Sequence, residues 1–294
     1  MASLLAFIRL SRLKFLLGGF LGVALGASIA RYQGFPVRWE MLFIVQAAVT
    51  SFQLMTHYTN DYFDREADAL AVRTPFSGGS GVFARNEIAP WVALLAARCS
   101  LVCGALALTI LATQRDMPAV SIGALIAILA YSYSSPPLRL LALGLGEVTT
   151  AAVVAILVPL FSYAALAHKV EMTAFLSTLP AACAMFVMMI CVEIPDIAVD
   201  GATGKRNLLV RFGRSSAPVL IAFATTGMAL GAFLAIRSGA PRALLAAALL
   251  GMVLGTWLRA KLNSAEPPSD AWIARTGVAI FVVTLAAGVA AYLV

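Results

Sequence analysis

Apolar runs long enough to cross a bilayer recur from one end of this 294-residue chain to the other, and no other feature restricts its fold as strongly. The runs are apolar all round. Strands of an outer-membrane barrel would alternate apolar and polar residues, so the pattern is that of an all-α, polytopic membrane protein. Charge supports this: 12% of residues are Asp, Glu, Lys or Arg, against about 25% in a typical soluble domain. The net charge of +7 suits a basic cytoplasmic face and gives little reason to expect a nucleic-acid partner. The first apolar run is followed by no clear small-residue cleavage site and by further spans, so it reads as retained.

The breaks RYQGFPVRWE, TQRDMP, SSPPLR, AHKVE, RSGAPR and NSAEPPSD divide the chain into about nine helices. They are expected near 15–31, 40–60, 90–113, 118–134, 146–167, 172–194, 215–237, 241–260 and 272–293, forming a single domain over 1–294. With the N-terminus in the cytoplasm, fourteen Lys and Arg fall inside and six outside, which favours that orientation. It places the two longest and most charged connections, 61–89 and 195–214, on one cytoplasmic face. The expected location is the cell (inner or plasma) membrane.

Half of the 14 acids lie in two short patches on that face. In NDYFDREAD, residues 60–68, Asp61, Asp64 and Asp68 are spaced i, i+3, i+7 and share one helix face, with Asn60 one turn before Asp64. In EIPDIAVDGATGKR, residues 193–206, Asp196 and Asp200 are spaced i, i+4, Glu193 lies one turn earlier, and Pro195 is expected to loosen the helix end. Like charges so arranged repel unless a cation sits among them. Carboxylate oxygens together with phosphate and water are what Mg²⁺ prefers, so two facing patches could clamp a diphosphate through Mg²⁺. The bland alternative is a pair of solvated helix caps.

Cations accompany the acids. Arg73 lies in RTPFSGGSG, and Lys205 and Arg206 lie in GKRN. The run SGGSG, residues 77–81, either presents backbone N–H groups to phosphate or is simply a turn. It is not a P-loop, since no G-x-x-x-x-G-K-[ST] occurs. YSYSSPPLR ends the fourth span on the same face: Tyr131, Tyr133 and Arg139 are either interface residues or part of the site. Arg12 and Lys14 are either topology anchors or binding residues. Cys99, Cys103, Cys183 and Cys191 form no C-x-x-C pair and read as small buried residues. Gly18, Gly22 and Gly26 form a small-residue stripe that packs helices within or between chains.

NDYFDREAD resembles the N-D-x-x-D-x-x-x-D first motif of the UbiA superfamily of intramembrane prenyltransferases, and DIAVD resembles its D-x-x-x-D second motif. PDIAVDGATGKRNLLVRFG, YSSPPLRL, GLGE and SRLKFLLGG further resemble the menaquinone-type branch, which prenylates 1,4-dihydroxy-2-naphthoate. RTPFSGGSGVF and VTTAAVVAILVP depart from that branch. The resemblance implies a helical bundle around a lipid-accessible chamber and Mg²⁺-dependent transfer of an isoprenyl group from its diphosphate to an aromatic acceptor. It implies metal ligation by Asn60, Asp61, Asp64, Asp68, Asp196 and Asp200. Arg73, Lys205 and Arg139 become candidates for the diphosphate, Tyr131 for stabilising the allylic cation, and Arg12 and Lys14 for an acceptor carboxylate. Other acceptors, such as 4-hydroxybenzoate, remain open. A transporter would instead place ionisable groups near the bilayer midplane. No obligate protein partner is expected.

Overall fold

The structure is a computed structural model that describes residues 2–71 and 73–294, with side chains from residue 4 onward. Among the described residues every regular element is helical. The chain starts with a short helix α1 (Ala2–Ser11), a 3₁₀ turn at Leu13–Phe15, and α2 (Leu16–Tyr32). Next come α3 (Trp39–Leu70), α4 (Pro90–Thr113) and α5 (Met117–Ser132). A continuous helix over 146–167 contains α6 (Gly146–Ala152), a π-helical turn at Val153–Leu157 and α7 (Val158–Ala167). It is followed by α8 (Met172–Glu193), a 3₁₀ turn at Ile194–Asp196, and the short helices α9 (Ile197–Ala202) and α10 (Leu208–Phe212). α11 (Ala217–Arg237), α12 (Ala243–Leu262) and α13 (Asp270–Ala291) complete the chain.

Seven segments are long and apolar enough to cross a membrane: Leu4–Tyr32, Pro90–Thr113, Gly146–Ala167, Met172–Ala202, Arg214–Arg237, Ala243–Leu262 and Asp270–Ala291. α5 is shorter, at 16 residues. α3 has the length, but Gln46, Gln53, Thr56 and His57 interrupt its apolar character. Three of these, Gln53, Thr56 and His57, line the internal chamber, so the polarity of α3 faces inward.

Most helix bounds fall within two or three residues of the sequence expectation, and α3 is the main correction. The sequence pattern predicts a stop near residue 60, but α3 runs unbroken to Leu70, so the whole first acidic motif is helical. Asp61 and Asp64 turn inward toward Arg12 and Lys205, and nothing in 60–70 is a Gly or Pro that would stop the helix. At the second motif Pro195 does end α8, and the chain tightens into the 3₁₀ turn before re-entering helix at Ile197.

Large apolar side chains such as Phe43, Phe223 and Val253 stand on the outer surface, while small residues and Phe52, Phe161 and Tyr163 fill the interior. This inversion relative to a soluble bundle is what lipid as solvent permits. Cys99 and Cys103 lie on that outer face, whereas Cys191 is buried; the expectation of burial holds for only some of the four.

The glycine stripe of α2 works within the chain. α2 lies along the 146–167 helix. A methyl group on Gly22 would stand 2.9 Å from a Val158 methyl carbon, and one on Gly26 would run into the Pro159 carbonyl oxygen. Gly26→Ala is therefore expected to push α2 off α7 and to destabilise the protein by about 1–3 kcal/mol, as overpacking of a close interface does. A lowered thermal unfolding midpoint in detergent would register it, and an unchanged midpoint would show that the contact is not tight.

Candidate functional site

A chamber of about 290 Å³ opens between α2, α3, α5, α8 and α13. Its walls are apolar, with Phe52, Ile126, Val154, Met185, Met188 and Phe281 among them. The π-helical turn brings Val153 and Val154 into this wall. One end is densely charged, and both acidic motifs meet there.

The first motif reaches that end from α3. Asn60, Asp64 and Asp68 line the chamber. Asn60 Nδ2 donates to Asp64 Oδ2 at 2.6 Å and to Ser134 Oγ at 3.0 Å, which fixes the carboxylate against the end of α5. The second motif comes from the turn after α8, where Asp196 and Asp200 line the same space. Asn207 caps α10 by accepting from Val210 N at 2.8 Å and donates through Nδ2 to Asp200 Oδ2 at 2.9 Å.

Lys205 joins the two motifs. Its Nζ lies 3.1 Å from Asp64 Oδ2 and 3.3 Å from Asp200 Oδ1, with only 11% of the side chain exposed. Burial alone would lower its pKa. The Asp64 and Asp200 carboxylates outweigh that and hold it above the ordinary lysine value of 10.5. Lys205 is placed by its own backbone, whose N–H donates to the Asp200 carbonyl at 2.9 Å, and by Gly204 at φ 82°.

Arg12 and Asp61 form a second buried pair at the rim. Asp61 also accepts from Ser80 N at 3.1 Å, so the Gly-rich loop is tied to α3 through this carboxylate. Arg12 sits at φ 47°, and the turn it makes is anchored to α3 by the Ser11–Tyr58 hydroxyl pair at 2.8 Å and by His57 Nδ1 against the Ser11 carbonyl at 2.9 Å. Lys14 lines the chamber, with its ammonium 4.6 Å from the Phe76 ring centre and 5.1 Å from that of Phe15.

Of the residues singled out from the sequence, the structure brings Asn60, Asp64, Asp68, Asp196, Asp200, Lys205, Arg12 and Lys14 to the chamber. It corrects three. Tyr131 is 43% exposed on the outer surface, while Tyr133, two residues on and on the opposite side of the helix, faces the chamber. Arg139 is exposed and does not line the chamber. Arg73 is turned into its own loop, where it donates to the Gly78 carbonyl at 3.2 Å, the Gly79 carbonyl at 3.2 Å and the Ser80 carbonyl. It shapes the Gly-rich loop instead of reaching the chamber. Asp61 is engaged by Arg12 and Ser80 and does not line the chamber, which sets it apart from the other four aspartates.

The donor set suits Mg²⁺ in one particular way. Among the described residues no three His, Cys, Asp or Glu side chains converge on a single point. Asp64 and Asp68 on one side, and Asp196 and Asp200 on the other, supply one or two carboxylates each. Mg²⁺ commonly uses such partial sets, with substrate phosphates and water completing the shell. Asp196 Oδ1 is buried without a hydrogen-bond partner, which is an oxygen left for a ligand.

The sequence pattern of the UbiA prenyltransferase family matches residues 19–285. Solved structures of similar fold include a UbiA homologue from Archaeoglobus fulgidus bound to DMAPP and Mg²⁺. It is 18% identical, covers 98% of this chain and 99% of its own, and has a TM-score of 0.69. A UbiA homologue from Aeropyrum pernix K1 is 14% identical over 95% of this chain and 97% of its own, with a TM-score of 0.68. A structure of digeranylgeranylglyceryl phosphate synthase is 18% identical over 100% and 99%, with a TM-score of 0.64. No curated protein matches the chain.

Removing the bridging cation should be felt before any ligand is added. Lys205→Met leaves Asp64 and Asp200 facing each other in a buried space, and a loss of about 1–3 kcal/mol is expected from the uncompensated groups. Because the folded pKa of Lys205 is raised, its contribution is complete at neutral pH and fades only as pH rises past 10.5. Thermal unfolding of wild type and variant at pH 7 measures it; equal midpoints would show that Lys205 does not hold the motifs together.

Proposed function

This chain belongs to the UbiA prenyltransferase family, and from that premise we propose that it transfers an isoprenyl group from its diphosphate to an aromatic acceptor, with Mg²⁺ as cofactor. The observation that carries this reading is the meeting of both aspartate motifs and Lys205 at the charged end of one apolar chamber. In the homologous structures from Archaeoglobus fulgidus the bound molecules are DMAPP or GPP with Mg²⁺. Here Asp64, Asp68, Asp196 and Asp200, with Asn60 orienting Asp64, would hold the metal, and Asp61 would act from outside this group by fixing Arg12 and the Gly-rich loop. Bound Mg²⁺ would supply charge neutralisation of the leaving diphosphate.

The chain's own groups do the rest. Lys205 places a fixed positive charge where negative charge grows as the C–O bond of the diphosphate ester breaks, and such preorganised charge is worth most in a dry site. The backbone of the Gly-rich loop at Gly78 and Gly79 borders the same space. The apolar walls hold the isoprenoid and keep water from the allylic cation. At about 290 Å³ the chamber lies near the lower end of ligand cavities, roughly 300–1,000 Å³, so a long tail would extend between helices into lipid. Tyr133, not Tyr131, offers a ring to the cation.

For the acceptor we propose an aromatic acid, most simply 1,4-dihydroxy-2-naphthoate in the making of a menaquinone-type quinone. The menaquinone-like GLGE and GATGKR stretches support this. Lys14 is the cation for the carboxylate, since it has no carboxylate partner among the described residues, whereas Arg12 is committed to Asp61. We further propose a single catalytic domain over 1–294. All the spans would lie in the cell membrane, α3 and α5 among them, with the N-terminus and both acidic motifs on the cytoplasmic side.

Asp64→Asn and Asp200→Asn are each expected to lower kcat by roughly a hundredfold, the order seen when one strong transition-state charge contact is lost. The double variant should fall far short of the product of the two, because both serve one unit. Multiplicative losses, or full turnover in EDTA, would contradict the reading. Lys14→Ala should raise the KM for the acidic acceptor about tenfold while leaving that for geranyl diphosphate within twofold, in line with a partly desolvated ion pair. Equal effects on both substrates would remove Lys14 from the acceptor site.

A further inference from the structure

The chamber wall holds a carboxyl that the charged end does not use. Glu193, the last residue of α8, is 6% exposed and lines the chamber, and among the described residues no N–H or hydroxyl donates to either of its carboxylate oxygens. Glu147, at the start of α6, is fully buried, and its carboxyl lies within hydrogen-bond reach of the Glu193 carboxyl. Its Oε1 accepts from Leu208 N at 2.6 Å and so ties α6 to α10, while no protein N–H reaches its Oε2. Lys205 makes its ion pairs with Asp64 and Asp200, and no cation lies within ion-pair distance of Glu193 among the described residues. A buried carboxyl that no protein N–H or hydroxyl reaches is costly, and such groups are retained where a ligand supplies the missing bonds.

The ligand must bring a hydrogen-bond donor. An isoprenoid tail has none, and neither has an ionised diphosphate. Within the reading of the chamber as a prenyl-transfer site, that leaves the acceptor. We propose that Glu193 is an acceptor-positioning residue whose carboxyl receives a hydrogen bond from a ring hydroxyl of the acceptor. Donation from a hydroxyl to a buried carboxyl fixes the ring in its plane and selects phenols over their ethers. A site built to bond a hydroxyl discriminates strongly against analogues that lack it.

The test uses the purified full-length protein in nanodiscs with Mg²⁺. Equilibrium binding is measured for geranyl diphosphate and for two matched pairs, 1,4-dihydroxy-2-naphthoate with its 1,4-dimethoxy ether, and 4-hydroxybenzoate with 4-methoxybenzoate. Wild type is expected to favour the hydroxyl member of at least one pair by tenfold or more. Glu193→Leu should erase that preference and Glu193→Gln should retain part of it, since its carbonyl oxygen still accepts. Both variants should bind geranyl diphosphate within twofold of wild type, which also shows that they are folded. Variants that keep the full preference, a wild type without one, or variants that lose geranyl diphosphate equally would each overturn the proposal. If wild type fails to bind geranyl diphosphate at all, the prenyl-transfer reading fails first; if it binds but shows no hydroxyl preference, only the role of Glu193 fails.

Discussion

The site depends on one ammonium group held between two carboxylates. Lys205 lies 3.1 Å from Asp64 and 3.3 Å from Asp200, residues that approach from helices far apart in sequence. Without a cation the two motifs would repel across a poorly solvated gap, and the end of α8 would have no reason to face α3. The same ammonium faces the chamber, so the group that joins the two motifs also sets the charge at the chamber's polar end.

Much of the surrounding structure exists to place that lysine and its partners. Asn207 caps α10 with one end of its amide and steadies Asp200 with the other. Arg206 N donates to the Ala142 carbonyl at 3.1 Å, and Arg211 reaches the carbonyls of Arg206 at 2.7 Å and Leu143 at 2.5 Å. Glu147 completes the frame through Leu208. The loop carrying Lys205 is thus stitched to the segment between α5 and α6 by one backbone hydrogen bond and by the Arg211 and Glu147 side chains reaching backbone groups. On the other side, Asp61 uses Arg12 and Ser80 to pin the N-terminal turn and the Gly-rich loop at the rim.

The spans are legible in the sequence because apolar runs and their Gly, Pro and charged breaks are local signals. The shared face of Asp64 and Asp68 is legible in their helical spacing, but the same spacing puts Asp61 with them, and Asp61 turns to Arg12 and Ser80 instead. What stays hidden depends on tertiary phase. Tyr131 and Tyr133 are alike in sequence, and only the rotation of α5 in the bundle decides which one faces inward. Arg73 reads as a free cation because nothing local shows that its loop carbonyls fold back around it. The extension of α3 past residue 60 is masked by charges that usually mark a loop, yet Asp61 and Asp64 among them are inside and compensated. Glu193 is visible as an acid one turn before Asp196, but its lack of partners emerges only once the neighbours are in place.

The central claim is that both aspartate motifs serve one metal–diphosphate unit. Its most direct test is anomalous diffraction from crystals grown with Mn²⁺ and an unreactive geranyl thiolodiphosphate. The account predicts manganese peaks against both Asp64 and Asp200, on either side of a single diphosphate that Lys205 contacts. Manganese at only one motif, or a diphosphate bound away from Lys205, would contradict it.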